Sequence, residues 1–232
     1  MKKIAIIPAR GGSKRIPRKN IKLFFGKPVI AYAIELALKS KLFERVIVST
    51  DDDEIAKISK MYGAEVPFTR SVENSTDNAS TFDVLKEVIQ WFKDRNELFE
   101  VACCIYPVSP LLKLESIENS YKRLISGNYD SVVPIVPFSH PIQRALSINT
   151  IGKITIVNPD DFKKNTQQLS TFYHDTGQFY WFNTENCLEI NSLISNNSIC
   201  YTMNNNEVQD VDNREDWENL ELKFLKSINE QN

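Results

Sequence analysis

Short runs of β-branched and other apolar residues alternate along this chain with segments whose apolar positions recur at helical spacing. Ile4 to Ile7 precedes Ile30 to Leu38, Val46 to Val48 precedes Glu54 to Tyr62, and Val101 to Ile105 precedes Leu114 to Ile125. Buried parallel strands read as continuous apolar runs, and each needs a crossover before the next. The alternation therefore predicts the α/β class, a mainly parallel sheet with helices on both faces. Pro28 suits the first turn of a helix, and Gly63 suits the position just past one that ends near Tyr62. In "STDDDEI", Asp51 to Asp53 stand where a strand gives way to a helix, a place where carboxylates cap unpaired amides.

The pattern changes between Ser131 and Ile156. Pro134, Pro137 and Pro141 separate short segments there, and Ile148 to Ile156 reads as a hairpin around Gly152, an excursion from the sheet that suits a partner subunit. Strand patterns return in "GQFYWF" (Gly177 to Phe182), in Cys200 to Met203 and in the run before Asp210. A closing helix follows from Trp217, Leu220, Phe224, Leu225 and Ile228 at helical spacing, with Asn213 placed to cap it.

Composition narrows the class. With 232 residues, 42% hydrophobic and 25% charged, the chain is long enough for one sizeable globular domain. A net charge of -2 argues against a general binder of polyanions, and nucleic acid is not an expected partner. The apolar run Ile4 to Ile7 is too short for a secretory signal or a membrane span, so a cytoplasmic protein without a membrane partner is expected. Cys103, Cys104, Cys187 and Cys200 lack C-x-x-C spacing. With only 2 histidines beside them, they read as buried thiols in a reducing compartment rather than zinc ligands.

The charge is unevenly spread. Nine Lys and Arg residues precede the first acid, Glu35, whereas the segment from Glu207 onward carries eight acids against three bases. This asymmetry points to an anion site near the start and a cation site near the end. The bases concentrate in "IAIIPARGGSKRIPRKN", where Arg10, Lys14, Arg15, Arg18 and Lys19 surround Gly11 and Gly12 directly after the first strand. In an open α/β sheet, ligands bind at the carboxyl ends of strands. Glycines there let backbone N–H groups approach phosphate oxygens. The spacing fits neither G-x-x-x-x-G-K-[ST] nor G-x-G-x-x-G, which disfavours a P-loop kinase and a nicotinamide dehydrogenase. The structural alternative is a solvated basic loop.

The acidic counterpart is "VQDVDNREDW". If Gln209 to Asp212 is extended, Asp210 and Asp212 point to one side. Such a pair suits Mg²⁺, which commonly takes one or two carboxylates plus substrate phosphates; the alternative is Asp212 as a helix cap and Asp210 in solvent. Basic loop and acidic pair together imply a magnesium nucleotide.

"IPARGGSKRIPRKN", "GKPVIAYAIE", "VIVSTDDDEIA", "GAEVPFTR" and "QDVDNREDW" together resemble the acylneuraminate cytidylyltransferases. The resemblance implies a Rossmann-like nucleotidyltransferase fold in a single domain over 1–232, with 138–170 as an inserted dimerisation arm. It further implies CTP and a nine-carbon 2-keto sugar acid as substrates, pyrophosphate as product, Mg²⁺ as cofactor and a homodimer. By the same resemblance Ala9, Arg10, Gly11, Gly12, Ser13, Lys14, Lys19, Asn20, Arg70 and Ser80 would bind the nucleotide. Asp210 and Asp212 would bind the metal, and Arg10, Lys14, Lys19 and Asp212 would act in catalysis.

Three departures concern the sugar. The family usually reads Q-P-T-S-P-L-R in mid-chain, where "YPVSPLL" puts Tyr106 and Leu112 at the ends; Arg15 stands where glycine is general; and "YHDTGQFYWF" replaces an N-G-A-I-Y-like strand. These variants look like the branch of the family that activates pseudaminic acid. Tyr106, His174, Asp175 and Gln178 are the sugar-site candidates, with core filling and a turn as the structural readings of Tyr106 and His174. Other keto-sugar acids (N-acetylneuraminic, legionaminic or a shorter one) and a nucleotide sensor without turnover remain as alternatives.

Overall fold

A strand with no polar side must be covered twice, and the first strand of this chain is. The computed structural model describes residues 1–230. Its elements run β1 (Lys3–Pro8), β2 (Leu23–Phe24), β3 (Lys27–Pro28), α1 (Val29–Ser40), β4 (Arg45–Ser49), α2 (Asp53–Met61), α3 (Thr81–Lys93), β5 (Val101–Ile105) and α4 (Leu114–Ser126). They continue as β6 (Ser131–Pro137), β7 (Leu146–Ile148), β8 (Ile154–Ile156), α5 (Pro159–Phe162), β9 (Tyr173–Asp175), β10 (Phe179–Asn183), α6 (Thr184–Ile190), β11 (Ser198–Thr202) and α7 (Arg214–Asn229). Ala5 and Ile7 pack in one core with Ile30 and Ile34 of α1 and Ile117 of α4. Ile4 and Ile6, on the other face, pack with Phe82 and Leu85 of α3 and Cys187 of α6.

The main sheet has the order β11-β6-β10-β5-β1-β4, with β9 also on β6. β1 lies parallel to β4 and β5, and β11 parallel to β6. β10 runs antiparallel to both β5 and β6, and β9 antiparallel to β6. The predicted mainly parallel α/β sheet is present, with two strands against its direction. The "GQFYWF" strand starts at Phe179 rather than Gly177, because Gly177 takes φ +60 in the turn from β9. The run before Asp210 forms no strand. Its carbonyls are taken by side chains instead: Gln178 Nε2 donates to Gln209 O at 3.2 Å, and Lys223 Nζ to Asn205 O at 3.0 Å and Val208 O at 2.6 Å.

Helix ends follow the cap residues. Asp52 accepts from Ile55 N–H at 2.9 Å, while Ser80 with Asp83 and Asn213 with Asp216 form reciprocal capping boxes. Pro28 sits at the N-cap of α1, and Gly63, with φ +94, directly follows the α2 cap residue Tyr62. Trp217 and Leu220 of α7 are buried, but Leu225 and Ile228 of the same apolar stripe are exposed. β7 and β8 pair only with each other, in register Leu146↔Ile156 to Ile148↔Ile154 around Gly152. This hairpin presents Leu146, Ile148, Ile151, Ile154 and Ile156 to solvent.

Asp52 also receives the guanidinium of Arg18, at 2.5 and 2.8 Å, and that ion pair holds its carboxyl below the usual carboxylate range. Asp52→Ala should therefore cost about 1 kcal/mol or somewhat more at neutral pH, read from urea denaturation. A folded-state pKa below the unfolded one gives stability that is present above the ordinary carboxylate pKa and lost as pH falls through the lowered value. The gap between wild type and Asp52→Ala should accordingly close on acidification.

Candidate active site

The loop after β1 leaves the sheet beside the start of α2. Ala9 is buried and its N–H donates to Ser49 O at 2.9 Å, so β1 and β4 stay joined to their carboxyl ends. Gly11 N–H donates to Asp51 Oδ1 at 2.8 Å, and a Cβ on Gly11 would lie 2.7 Å from Asp52 Oδ2. Its glycine serves close approach to the α2 N-terminus rather than a phosphate cradle; Gly12, with open space around its Cβ position, does not line the cleft either. Arg18, in the left-handed region at φ 56, spends its charge on Asp52 and Glu54. That leaves Arg10, Lys14, Arg15 and Lys19 of the five clustered bases facing one cleft of about 270 Å³.

Three other elements close the basic wall. Arg70 is buried; its Nε donates to Ser49 Oγ at 3.0 Å and its Nη2 to Ser49 O, and burial pushes its pKa down to about 10, so it stays charged at neutral pH. Asn20 donates to Arg10 O at 2.9 Å, pinning the loop across its own turn, and Ser13 and Ser80 complete this side of the cleft. Tyr106 reaches in from beyond β5, its hydroxyl sharing a 2.7 Å hydrogen bond with Thr81 Oγ1. Burial raises the phenol's pKa, so it is a neutral hydrogen-bonding group.

Asp210 and Asp212 form the opposite wall, although no strand holds them. Val211 between them is buried with Ile16, Phe24, Trp217 and Leu220, which turns both neighbours to the cleft. Partial removal from water, with the Asp212 charge second, raises the Asp210 pKa. Asp212 Oδ1 accepts from Arg15 Nη2 at 2.7 Å. Lys19 lies at the junction of the walls; burial lowers its pKa against the opposing pull of Asp212 and Asp210. Across the cleft, Asp77 accepts from Arg10 Nη1 through Oδ1 and from Lys14 Nζ through Oδ2, each at 2.6 Å. Among the described residues no cluster of three or more His, Cys, Asp or Glu side chains is arranged for a metal. Two hard carboxylates in one cleft fit Mg²⁺, which fills its other positions with water and phosphate oxygens.

A second cavity meets the same aspartates from the other side. Asp210 and Asp212 line it together with His174, Asp175, Thr176 and Lys223. His174 Nδ1 lies 2.8 Å from Asp175 O, with its ring 4.8 Å from that of Phe138. Asp175 accepts Gly177 N–H at 2.7 Å and the Tyr180 hydroxyl. Thr176 Oγ1 is buried without a hydrogen-bond partner. Lys223 Nζ donates to Asn205 O at 3.0 Å and Val208 O at 2.6 Å.

The four residues expected at a sugar site are therefore divided. His174 and Asp175 line the second cavity, Tyr106 lines the first, and Gln178 lines neither, being buried beneath the acidic segment that it fastens. Tyr106 and Tyr180 are edge to face at 6.1 Å, so Thr81, Tyr106, Tyr180 and Asp175 form a relay of contacts between the two cavities. Sequence reasoning did not single out Asp77, Thr176 or Lys223. Asp77 lies in the same "TRSVENSTDNAST" segment as Arg70 and Ser80, but a lone carboxylate opposite a basic loop has no local signature. Lys223 is an ordinary polar position of an amphipathic helix.

The family description "Cytidylyltransferase" matches residues 4–230. The chain is 37% identical over 224 residues to the pseudaminic acid cytidylyltransferase of Campylobacter jejuni, covering 97% of each. It is 32% identical over 225 residues to the CMP-N,N'-diacetyllegionaminic acid synthase of Legionella pneumophila, covering 94% of each. Among solved structures, a CMP:2-keto-3-deoxy-manno-octonic acid synthetase complexed with CTP has the same fold, with a TM-score of 0.70 at 18% identity over 98% of this chain and 100% of the other.

Proposed function

The chain belongs to the cytidylyltransferase family, and from that premise we propose that it transfers CMP from CTP to the anomeric hydroxyl of pseudaminic acid, releasing pyrophosphate. The observation that carries this reading is the meeting of two cavities at Asp210 and Asp212, one walled by four loop bases and Arg70, the other by neutral and acidic groups with a single lysine. A triphosphate suits the first and a polyol acid the second. Their reacting atoms, the α-phosphorus and the anomeric oxygen, then come together at the aspartates, where the oxygen attacks and pyrophosphate leaves on the far side.

Little covalent work falls to the protein in such a step, so positioning and charge supply the rate. Arg10, Lys14 and Lys19 neutralise the β,γ-phosphates and the leaving group, and the nucleoside end lies toward Arg70 and Ser80. Asp210 and Asp212 would hold Mg²⁺, which when bound would supply positive charge to offset that of the phosphates. In the second cavity the acceptor's carboxylate meets Lys223, the one Lys or Arg side chain in its described lining. Its hydroxyl and acylamino groups find His174, Asp175 and the unpartnered Thr176 hydroxyl. The choice of pseudaminic acid is supported by 37% identity to an enzyme so named over 97% of this chain, and by the departures from the family pattern at His174 and Asp175, which line the second cavity.

The protein acts in the cytoplasm as a homodimer through 138–170, whose hairpin exposes five large aliphatic side chains, Leu146, Ile148, Ile151, Ile154 and Ile156. An isolated two-stranded hairpin is marginal in water, and such a patch is relieved by a second copy. Ile148→Asp should leave a monomer in sedimentation velocity; an unchanged dimer would move the interface elsewhere.

The direct test is pyrophosphate release with CTP across matched concentrations of nonulosonic acids. Pseudaminic acid should exceed N-acetylneuraminic acid in kcat/KM by about 10³-fold, the result of several mispaired buried groups at about 1 to 3 kcal/mol each. Preference for another acid would replace the acceptor, and CTP binding without any pyrophosphate would favour a sensor. Asp212→Asn should keep the fold and lower turnover by roughly 10²-fold or more, with near-normal turnover at limiting Mg²⁺ counting against the metal assignment.

A further inference from the structure

The Arg10 and Lys14 side chains are held by one carboxylate, with one Asp77 oxygen for each cation. The other bases of the cleft have different partners: Arg70 on Ser49, Lys19 on the Val211 carbonyl, Arg15 on Asp212. Arg10 and Lys14 share a single anion, which a loop brings to them from more than sixty residues away. We propose that Asp77 is an internal stand-in for the polyphosphate. Nucleotide binding and pyrophosphate departure are then exchanges of Asp77 for phosphate on Arg10 and Lys14.

The loop is built for such an exchange. Its two ends are fastened: Ser71 N–H and Asn74 Nδ2 donate to Glu87 at 2.9 and 2.7 Å, and Ser80 is locked to Asp83 in the α3 capping box. Between those anchors, the amides of Asp77, Asn78 and Ala79 donate to no acceptor among the described residues. Asp77 is half-exposed and Lys14 is 80% exposed, so water screens the pairs and they break at little cost. A β,γ-diphosphate brings more negative charge than one carboxylate and spans two cations at once. CMP joined to a sugar has no phosphate to place there.

Asp77 therefore weakens binding of CTP and of pyrophosphate alike, and returns to its two cations as pyrophosphate leaves. It is a positioning residue for the basic loop and touches neither reacting atom. The proposal rests on the reading that Arg10 and Lys14 receive the β,γ-phosphates, and the experiment separates the two.

Titration calorimetry of metal-free protein with pyrophosphate and with CTP would be run on wild type, Asp77→Asn and Asp77→Ala, with kinetics in Mg²⁺ alongside. Both variants should bind both ligands roughly 3- to 30-fold more tightly than wild type, the scale of two exposed ion pairs removed from competition. The KM for CTP should fall, and inhibition by added pyrophosphate should strengthen by a similar factor. Unchanged or weaker ligand binding by folded variants, with wild type binding normally, would overturn the role of Asp77 and leave the nucleotide site standing. Wild type that binds neither ligand, with Arg10→Ala no different, would overturn the nucleotide reading and the exchange together.

Discussion

Everything in the cleft depends on burying Val211. This one side chain packs with Ile16 from the basic loop, Phe24 from the β2–β3 hairpin and Trp217 from the last helix. Phe24 meets Trp217 edge to face at 5.6 Å and Phe224 at 5.0 Å, and Lys22 Nζ sits 4.2 Å from the centre of the Trp217 ring. The small third core thus binds the two ends of the chain into one unit. Because Val211 points inward, Asp210 and Asp212 on either side of it turn outward to face the bases. Two oppositely charged segments nearly two hundred residues apart become opposite walls of a single site through an apolar contact, which solvent and salt do not screen.

That apolar clamp also explains how so much charge is tolerated in a confined space. Desolvation raises the pKa of Asp210 and lowers that of Lys19, each therefore being held at some cost in its charged form. The attraction between Lys19 and the two aspartates opposes both shifts, and other charges of the cleft are paired internally: Arg15 with Asp212, and Arg10 and Lys14 with Asp77. In the function proposed above, a magnesium nucleotide would replace these partners, its phosphates taking the place of the carboxylates and its metal that of the Arg15 cation.

The second cavity shows why the acidic segment is neither strand nor helix. Gln178 from beneath and Lys19 from the loop take two of its carbonyls, so the backbone bridges between cavities without a ladder. A strand there would have needed a sheet partner on one side and would have closed one of the two mouths. The Thr81, Tyr106, Tyr180 and Asp175 contacts run parallel to this bridge at the ends of β5 and β10. The tyrosine that departs from the family's mid-chain pattern thus lines the first cavity and is linked to the second through Tyr180 and Asp175.

Local chemistry was enough to read most of the frame from sequence. Apolar runs of strand length, helical spacing in the segments between them, and the caps Asp52 and Asn213 are short-range signals, and apart from the run before Asp210 they are present where the pattern places them, whereas α3 with its Ser80 cap was not among the predicted elements. The clustered bases and the Asp210–Asp212 pair were legible for the same reason, since charge density is a property of composition. Tertiary structure decided what those residues face. It assigned Arg18 to α2, turned the Gly11 amide to Asp51, set Gln178 beneath the acidic segment and brought Asp77 to the loop. None of these partners is near in sequence, and each is chosen by which side chain the packed sheet and the small third core leave within reach. Pattern along the chain determined the elements and the kind of charge they carry, while long-range packing determined which charges meet.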